Sequence, residues 1–199
     1  MTDQMQVQTA IGKMESDGGP KEKDPAEKDF DTGKAHLVSG DFSAAAAAFH
    51  NALIGYEQAN NENGIANAVN QLGDICVARK SFEQALVHFK RAYEICDKLG
   101  DPYSLLALKK KIAQLYCDLK QYDESISCYA DLIDIYKNFN NPPGAIETLE
   151  KLAAVSLEKG DKARAADAYR TAAAIHKNFK HSREAEALQS KADAIEGEV

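Results

Sequence analysis

Residues 72–96 read LGDICVARKSFEQALVHFKRAYEIC, and this stretch decides the fold. Apolar residues recur three and four positions apart on either side of a polar break at Lys80 and Ser81, which predicts two amphipathic helices joined by a short turn. Gly73 lies in the first helix, and Phe89 lies sixteen positions later in the second. We expect the two helices to pack closely, because an aromatic ring can fill the space left by a missing side chain.

The same pattern recurs with a period of 40 residues, and four segments come into register without a gap. The aromatic position holds Phe49, Phe89, Tyr129 and Tyr169, and the small position holds Gly33, Gly73, Ala113 and Ala153. One helical hairpin cannot bury both faces of its helices, whereas stacked hairpins can. The sequence therefore predicts an all-α solenoid built from four hairpins.

Local signals mark where the helices begin. Ser81 with Gln84 three residues later is a capping-box pattern, and Asp101 before Pro102 is typical of a helix N-cap followed by proline. Asn141 before two prolines gives a further start signal.

The spacing of Gly73, Cys76, Ala85, Phe89 and Ala92 resembles the tetratricopeptide-repeat (TPR) family. The commonest form of that repeat has about 34 residues. The longer period here resembles the long-helix subgroup found in LGN/Pins adaptors and kinesin light chains. The resemblance implies a right-handed superhelical solenoid of four hairpins with a C-terminal capping helix.

The chain divides into three predicted parts. Residues 1–25 lack periodicity, so we expect a disordered or loosely attached tail. The four repeats are expected at about 26–60, 61–100, 101–140 and 141–181. Residues 182–199 are predicted to form the capping helix and a short tail, because Ala185, Leu188, Ala192 and Ile195 share one helical face.

The resemblance also implies where a partner binds, namely a concave groove lined by the first helix of each hairpin. The implied groove residues are Lys34, Asn70, Gln71, Asp74, Lys110, Lys111, Gln114 and Lys151. Asn70 and Gln71 can hydrogen-bond a peptide backbone, and Lys111 and Lys151 can hold carboxylates. The alternative is that these side chains are only the solvated faces of exposed helices. They do not reproduce the Lys-Asn-Asn-Lys-Arg constellation of clamps that bind chaperone tails.

Composition argues against several other classes of partner. The formal net charge is −7, and the densest cationic cluster is only Lys109 to Lys111, so we expect no binding to nucleic acid. No stretch approaches the roughly 20 apolar residues of a membrane span, so we expect no membrane insertion. Met1 to Ala10 is polar and lacks the pattern of a secretory signal, which favours a cytoplasmic location.

No motif for catalysis, metal or cofactor occurs in the sequence. The four cysteines contain no C-x-x-C pair, and each falls in an apolar helical pattern. None of the five histidines lies in an H-E-x-x-H motif, and no phosphate-binding glycine loop is present. We therefore predict a protein that is not an enzyme and has no cofactor.

Three functions remain open at this point. The first is an adaptor that binds a segment of a partner protein in the groove. The second is a non-catalytic subunit of a larger complex, including an enzyme complex, which docks through the convex face or the capping helix. The third is a self-associating scaffold built by end-to-end stacking, so monomer and oligomer are both compatible with the sequence.

Overall fold

Nine α-helices follow one another in the computed structural model, which describes residues 23–197. They are α1 Pro25–Val38, α2 Phe42–Gln58, α3 Glu62–Ala78, α4 Phe82–Leu99, α5 Pro102–Asp118, α6 Tyr122–Asn138, α7 Pro142–Lys159, α8 Lys162–Asn178 and α9 Ser182–Gly197. No strand occurs among these residues. Each helix packs mainly against the helices next to it in the chain. The predicted all-α superhelical repeat fold is thus confirmed.

The first helix begins slightly earlier than the sequence analysis expected. Asp24 caps α1 by accepting a hydrogen bond from the backbone N–H of Ala26 at 2.7 Å, and Pro25 occupies the first helical position. Residue 25 is therefore helical and not part of a tail. Residues 1–22 of the predicted tail lie outside the residues that the structure describes.

Left-handed residues end the helices at intervals of 20 positions. They are Gly40, Asn60, Lys80, Gly100, Lys120, Asn140, Gly160 and Lys180. In the turn after α3, the N–H of Ser81 reaches back to the carbonyl of Cys76 at 2.8 Å, which is the hydrogen bond expected when a left-handed residue closes a helix. The constant spacing gives every hairpin the same length, so the hairpins stack in register.

The caps agree with the sequence signals at two of three positions. Asp101 accepts hydrogen bonds from the N–H groups of Tyr103 and Ser104, and Asn141 accepts one from Gly144. Ser81 makes no side-chain capping bond, so the capping box predicted there is wrong.

Within a hairpin, the close approach depends on a missing side chain. A Cβ atom added at Gly73 would lie 2.5 Å from the Phe89 ring, and one at Gly33 would lie 2.7 Å from the Phe49 ring. Both rings are almost fully buried. These contacts confirm the pairing of small and aromatic positions that the sequence predicts.

Between hairpins, a second set of contacts uses the same principle. The Tyr56 ring lies against Gly64, where an added Cβ would be 2.5 Å away, and the Tyr136 ring lies against Gly144 at 2.4 Å. At the boundary between the second and third hairpins, the corresponding residues are Cys96 and Ser104. A large side chain is thus matched with glycine, and a small one with serine.

The last helix covers the end of the fourth hairpin. Leu188 packs among the alanines of α8, including Ala172 and Ala173, and only 5% of its surface is exposed. Ile195 packs against the same cluster. Leu188 is therefore unavailable for docking a partner through the capping helix, whereas Ile195 remains partly exposed.

The outer face of α9 does not offer the usual hairpin contact. Asp193 stands 40 residues after Ala153, at the position where the earlier first helices carry glycine or alanine. It is exposed and accepts a hydrogen bond from Gln189 at 2.8 Å. A buried aromatic ring cannot pack there without desolvating the carboxylate, which disfavours end-to-end stacking at this surface.

No helix within residues 23–197 combines the length and the apolar composition that crossing a bilayer requires.

Replacing Gly73 with alanine should test the hairpin contact. Alanine favours a helix by about 1 kcal/mol over glycine. Nevertheless, we expect Gly73→Ala to lower the free energy of unfolding by about 1 to 3 kcal/mol, because the new methyl group overlaps the Phe89 ring. Urea unfolding followed by circular dichroism measures the change.

Gly197→Ala is the matched control, because open space surrounds that position. Phe89→Leu should lower the free energy of unfolding less in the Gly73→Ala variant than in the unmodified chain, since leucine makes room for the methyl group. Additive losses in the double variant would contradict the proposed packing.

Candidate binding groove

Four of the predicted groove residues meet at one depression on the face formed by the first helices. The depression has a volume of 280 Å³. Its lining residues are Asp74, Val77, Phe89, Lys110, Lys111, Gln114, Leu115 and Asp118. We call it the groove depression. It has an apolar floor and a charged, amide-bearing rim, which is a suitable environment for an apolar side chain with polar neighbours.

Lys111 lies at the centre of a hydrogen-bonded cluster. Its Nζ atom is 2.7 Å from both carboxylate oxygens of Asp74 and 2.9 Å from Oδ1 of Asn70. The same ammonium group lies 4.8 Å from the centroid of the Phe89 ring. Its charge is therefore already neutralised within the chain, and it is not the free cation for a partner carboxylate that the sequence analysis expected.

Ion pairs link successive first helices across this face. Lys110 on α5 lies 3.4 Å from Glu147 on α7, and its Nζ sits 5.2 Å from the centroid of the Tyr136 ring. Glu150 on α7 lies 3.8 Å from Lys191 on α9. Asp74 on α3 pairs with Lys111 on α5, so one of these ion pairs joins each first helix from α3 to α9 to the next first helix. Such exposed pairs contribute about 0 to 1 kcal/mol each, so their main effect is to orient the side chains.

The remaining predicted residues do not line the depression. Lys34 pairs within its own helix with Asp31 at 2.5 Å. Hydrogen bonds from Lys23 and Lys34 lower the pKa of Asp31 to about 2. Gln71 is half-buried beside the cluster, and Lys151 is exposed. Lys151 forms no hydrogen bond or ion pair with the described residues 23–197, so it is the predicted groove cation that remains available.

Part of the depression was not predicted from the sequence. Phe89 was expected only in the hairpin core, yet its ring also underlies Lys111. Leu115 and Asp118 were not considered as groove residues. Asp118 follows Gln114 by one helical turn, and the two side chains are hydrogen-bonded at 3.1 Å. That spacing of four residues was the available signal for Asp118.

Two further groups near the depression, the Tyr129 phenol and the Cys117 thiol, are neutral at physiological pH. Burial raises the pKa of the Tyr129 phenol to about 12, and its hydroxyl donates to Oε1 of Gln114 at 3.4 Å. Burial, together with nearby Glu158, raises the pKa of the Cys117 thiol to about 11. The thiol donates a hydrogen bond to Glu158 at 3.5 Å. Neither group is suited to act as a nucleophile.

No group of three or more metal-ligating side chains of His, Cys, Asp or Glu occurs within residues 23–197. Among these residues, the face of the first helices therefore carries hydrogen-bonding and apolar groups but no metal cluster.

The stacked hairpins and the mixed polar and apolar face define a helical-repeat protein of the tetratricopeptide-like class. A family of known proteins matches residues 10–198, and its description is "Soluble NSF attachment protein, SNAP". The chain therefore belongs to the soluble NSF attachment protein family. The prediction of a tetratricopeptide-like protein is confirmed. No match was found among the curated proteins.

Solved structures support the fold. BtubC from P. vanneervenii is 13% identical with a TM-score of 0.61, covering 86% of this chain and 79% of that one. The apo form of RapI is 14% identical with a TM-score of 0.68, covering 82% of this chain and 46% of RapI. A Rap protein complexed with Competence and Sporulation Factor is 16% identical with a TM-score of 0.61, at 83% and 47% coverage. The chain thus spans about half the length of the two Rap proteins.

Reversing the charge of Lys111 should destabilise the protein, which the sequence alone did not suggest. Lys111→Glu places a second carboxylate against Asp74, and we expect the free energy of unfolding to fall by about 1 kcal/mol. Lys151→Glu is the matched control, because Lys151 has no ion-pair partner among the described residues. It should lower the free energy of unfolding by less than half as much.

A charge swap tests the assignment directly. Adding Asp74→Lys to Lys111→Glu should restore most of the lost stability, because the pair re-forms with its signs exchanged. Urea unfolding of all four proteins measures the effect. Equal losses for Lys111→Glu and Lys151→Glu would show that the ion pair contributes nothing.

Proposed function

We propose that this chain is a non-catalytic adaptor that holds a segment of a partner protein against the face of its first helices. The observation that carries the proposal is the groove depression, where Val77, Phe89 and Leu115 form an apolar floor beside a polar rim. A partner side chain inserted there would bury apolar surface, while the neighbouring backbone could bond to the rim.

The cluster around Lys111 supports this proposal because it fixes the rim before a partner arrives. Two oxygens of Asp74 and one of Asn70 hold the ammonium group, so its position needs no further ordering. Preorganised side chains lose less conformational entropy on binding. The polar side of the groove is therefore ready to accept a segment of defined shape.

The chemistry of the partner segment follows from the groups that remain available. Gln114 is exposed at the rim, and beyond its bonds to Asp118 and Tyr129 its amide retains one hydrogen and one oxygen lone pair. Lys151 is an exposed cation on α7. A segment with one bulky apolar side chain and an acidic residue nearby fits this arrangement. The paired Asp74 and Glu147 would disfavour a strongly acidic segment.

The family description suggests the partner to test first. It names attachment to NSF, and we extend that property to this chain as part of the proposal. Similarity to a Rap protein that is complexed with Competence and Sporulation Factor is compatible with a repeat surface that binds a partner, although that likeness is one of fold.

Purified NSF provides the binding assay. Gln114→Glu combined with Lys151→Glu should weaken binding at least tenfold, because it reverses the sign of the available groove charge. Gln58→Glu combined with Lys98→Glu is the matched control, with the same two substitutions on exposed positions of α2 and α4 that line neither candidate surface. Isothermal titration calorimetry with each protein gives the dissociation constants.

Two results would count against the proposal in different ways. Absence of any binding between the unmodified chain and NSF would exclude that partner. Equal binding by the groove variant and its control would remove the groove as the site, whichever partner is used.

The docking of a larger complex on the opposite face is the second candidate. A trench of 530 Å³ between α2 and α4 supports it, with His50, Leu72 and His88 among its lining residues. Val87 also lines it and is 68% exposed. Under this alternative, Val87→Asp would abolish binding while the groove variant binds normally.

A further inference from the structure

Two histidines face each other at the turn between α8 and α9. The Nδ1 atoms of His176 and His181 are 3.4 Å apart, and the ring centroids are separated by 5.6 Å with an angle of 52° between the planes. His176 is half-buried and His181 is exposed, so solvent reaches the pair. Neither histidine contributes to the groove depression or to the proposed function.

The backbone of the turn holds this separation. The N–H of His181 donates to the carbonyl of His176 at 3.0 Å, and the left-handed Lys180 stands between them with φ of 61°. This closed turn brings positions i and i+5 together. The corresponding pair at the end of α6 is Tyr136 and Asn141. The two imidazoles therefore occupy positions that the turn of each repeat brings close together.

The distance between the two nitrogens matches the geometry of metal coordination. A zinc–imidazole bond is about 2.0 to 2.1 Å long, and two ligands of a tetrahedral ion are then about 3.4 Å apart. In a direct hydrogen bond, one of the two Nδ1 atoms must carry a proton. A cation between the rings instead uses the lone pairs of both Nδ1 atoms.

We propose that His176 and His181 bind one divalent late transition-metal ion, of which Zn²⁺ is the example, through their Nδ1 atoms. Imidazole nitrogen is a preferred ligand of these ions. The described residues provide no group of three ligands here, so water fills the other coordination positions. A donor from a bound protein can replace that water.

The surroundings favour a role for the ion at a contact surface. Both histidines line a pocket of 430 Å³ with an apolar wall formed by Pro142, Ile146 and Phe179. Phe179 is 54% exposed. A side chain seated in this pocket would lie beside the ion. The acidic lining residues of the pocket, Glu147 and Glu150, pair with Lys110 and Lys191.

Titration with Zn²⁺ alone tests the site on the full chain without an affinity tag. Calorimetry in a non-coordinating buffer at neutral pH should give a site with one equivalent of metal. His176→Ala and His181→Ala should each weaken this binding about 100-fold, because a chelate becomes a single ligand. His50→Ala and His88→Ala, the matched controls on α2 and α4, should leave it unchanged.

Nuclear magnetic resonance gives a second readout, which reports the tautomer of each histidine ring and not the dissociation constant. Zinc binding through Nδ1 requires the tautomer with hydrogen on Nε2 in both rings. Nitrogen-detected spectra of His176 and His181 should therefore show both rings in that form only when Zn²⁺ is present.

Three outcomes would overturn the proposal. One is no binding of Zn²⁺ at millimolar concentration. Another is binding that survives either histidine substitution with full affinity. The third is binding that disappears when the cysteines, and not the histidines, are replaced.

Discussion

The contact of an aromatic ring with a backbone that lacks a side chain is the constraint on which this fold depends. Phe49 and Phe89 occupy the space over Gly33 and Gly73 so closely that one added carbon would overlap them. The contact sets the distance between the two helices of a hairpin. Because each hairpin then presents a similar surface to the next, a single local rule extends along the chain and generates a solenoid.

The face of the first helices is stabilised by charges that also limit what can bind to it. Lys111 and Lys110 are engaged by Asp74 and Glu147, so the groove is nearly neutral despite its lysines. An incoming carboxylate must compete with these internal partners. Selectivity at such a surface comes more from shape and from the few free groups than from net charge.

The sequence predicted the fold more completely than the groove. Helices, turns and the pairing of Gly73 with Phe89 follow from local periodicity, which a single chain displays directly. The state of Lys111 does not, because its partners lie 37 and 41 residues away on another helix. Those separations are close to one repeat period, so opposite charges near that spacing were the signal to seek. The facing of His176 and His181 depends on the left-handed backbone of Lys180, a conformation that lysine as a residue type does not indicate.

The hairpins have equal lengths, but the contacts between neighbouring hairpins are not interchangeable, because each boundary matches the volume of one side chain to that of its partner. Removing the second hairpin, residues 61–100, would keep the spacing of the turns but place Tyr56 against Ser104, whose Cβ atom has no room beneath a tyrosine ring. Removing residues 61–140 would place Tyr56 against Gly144, which already accommodates a tyrosine. The chain is therefore modular in units of two hairpins at this boundary, and evolution or design could shorten it there by two repeats more easily than by one.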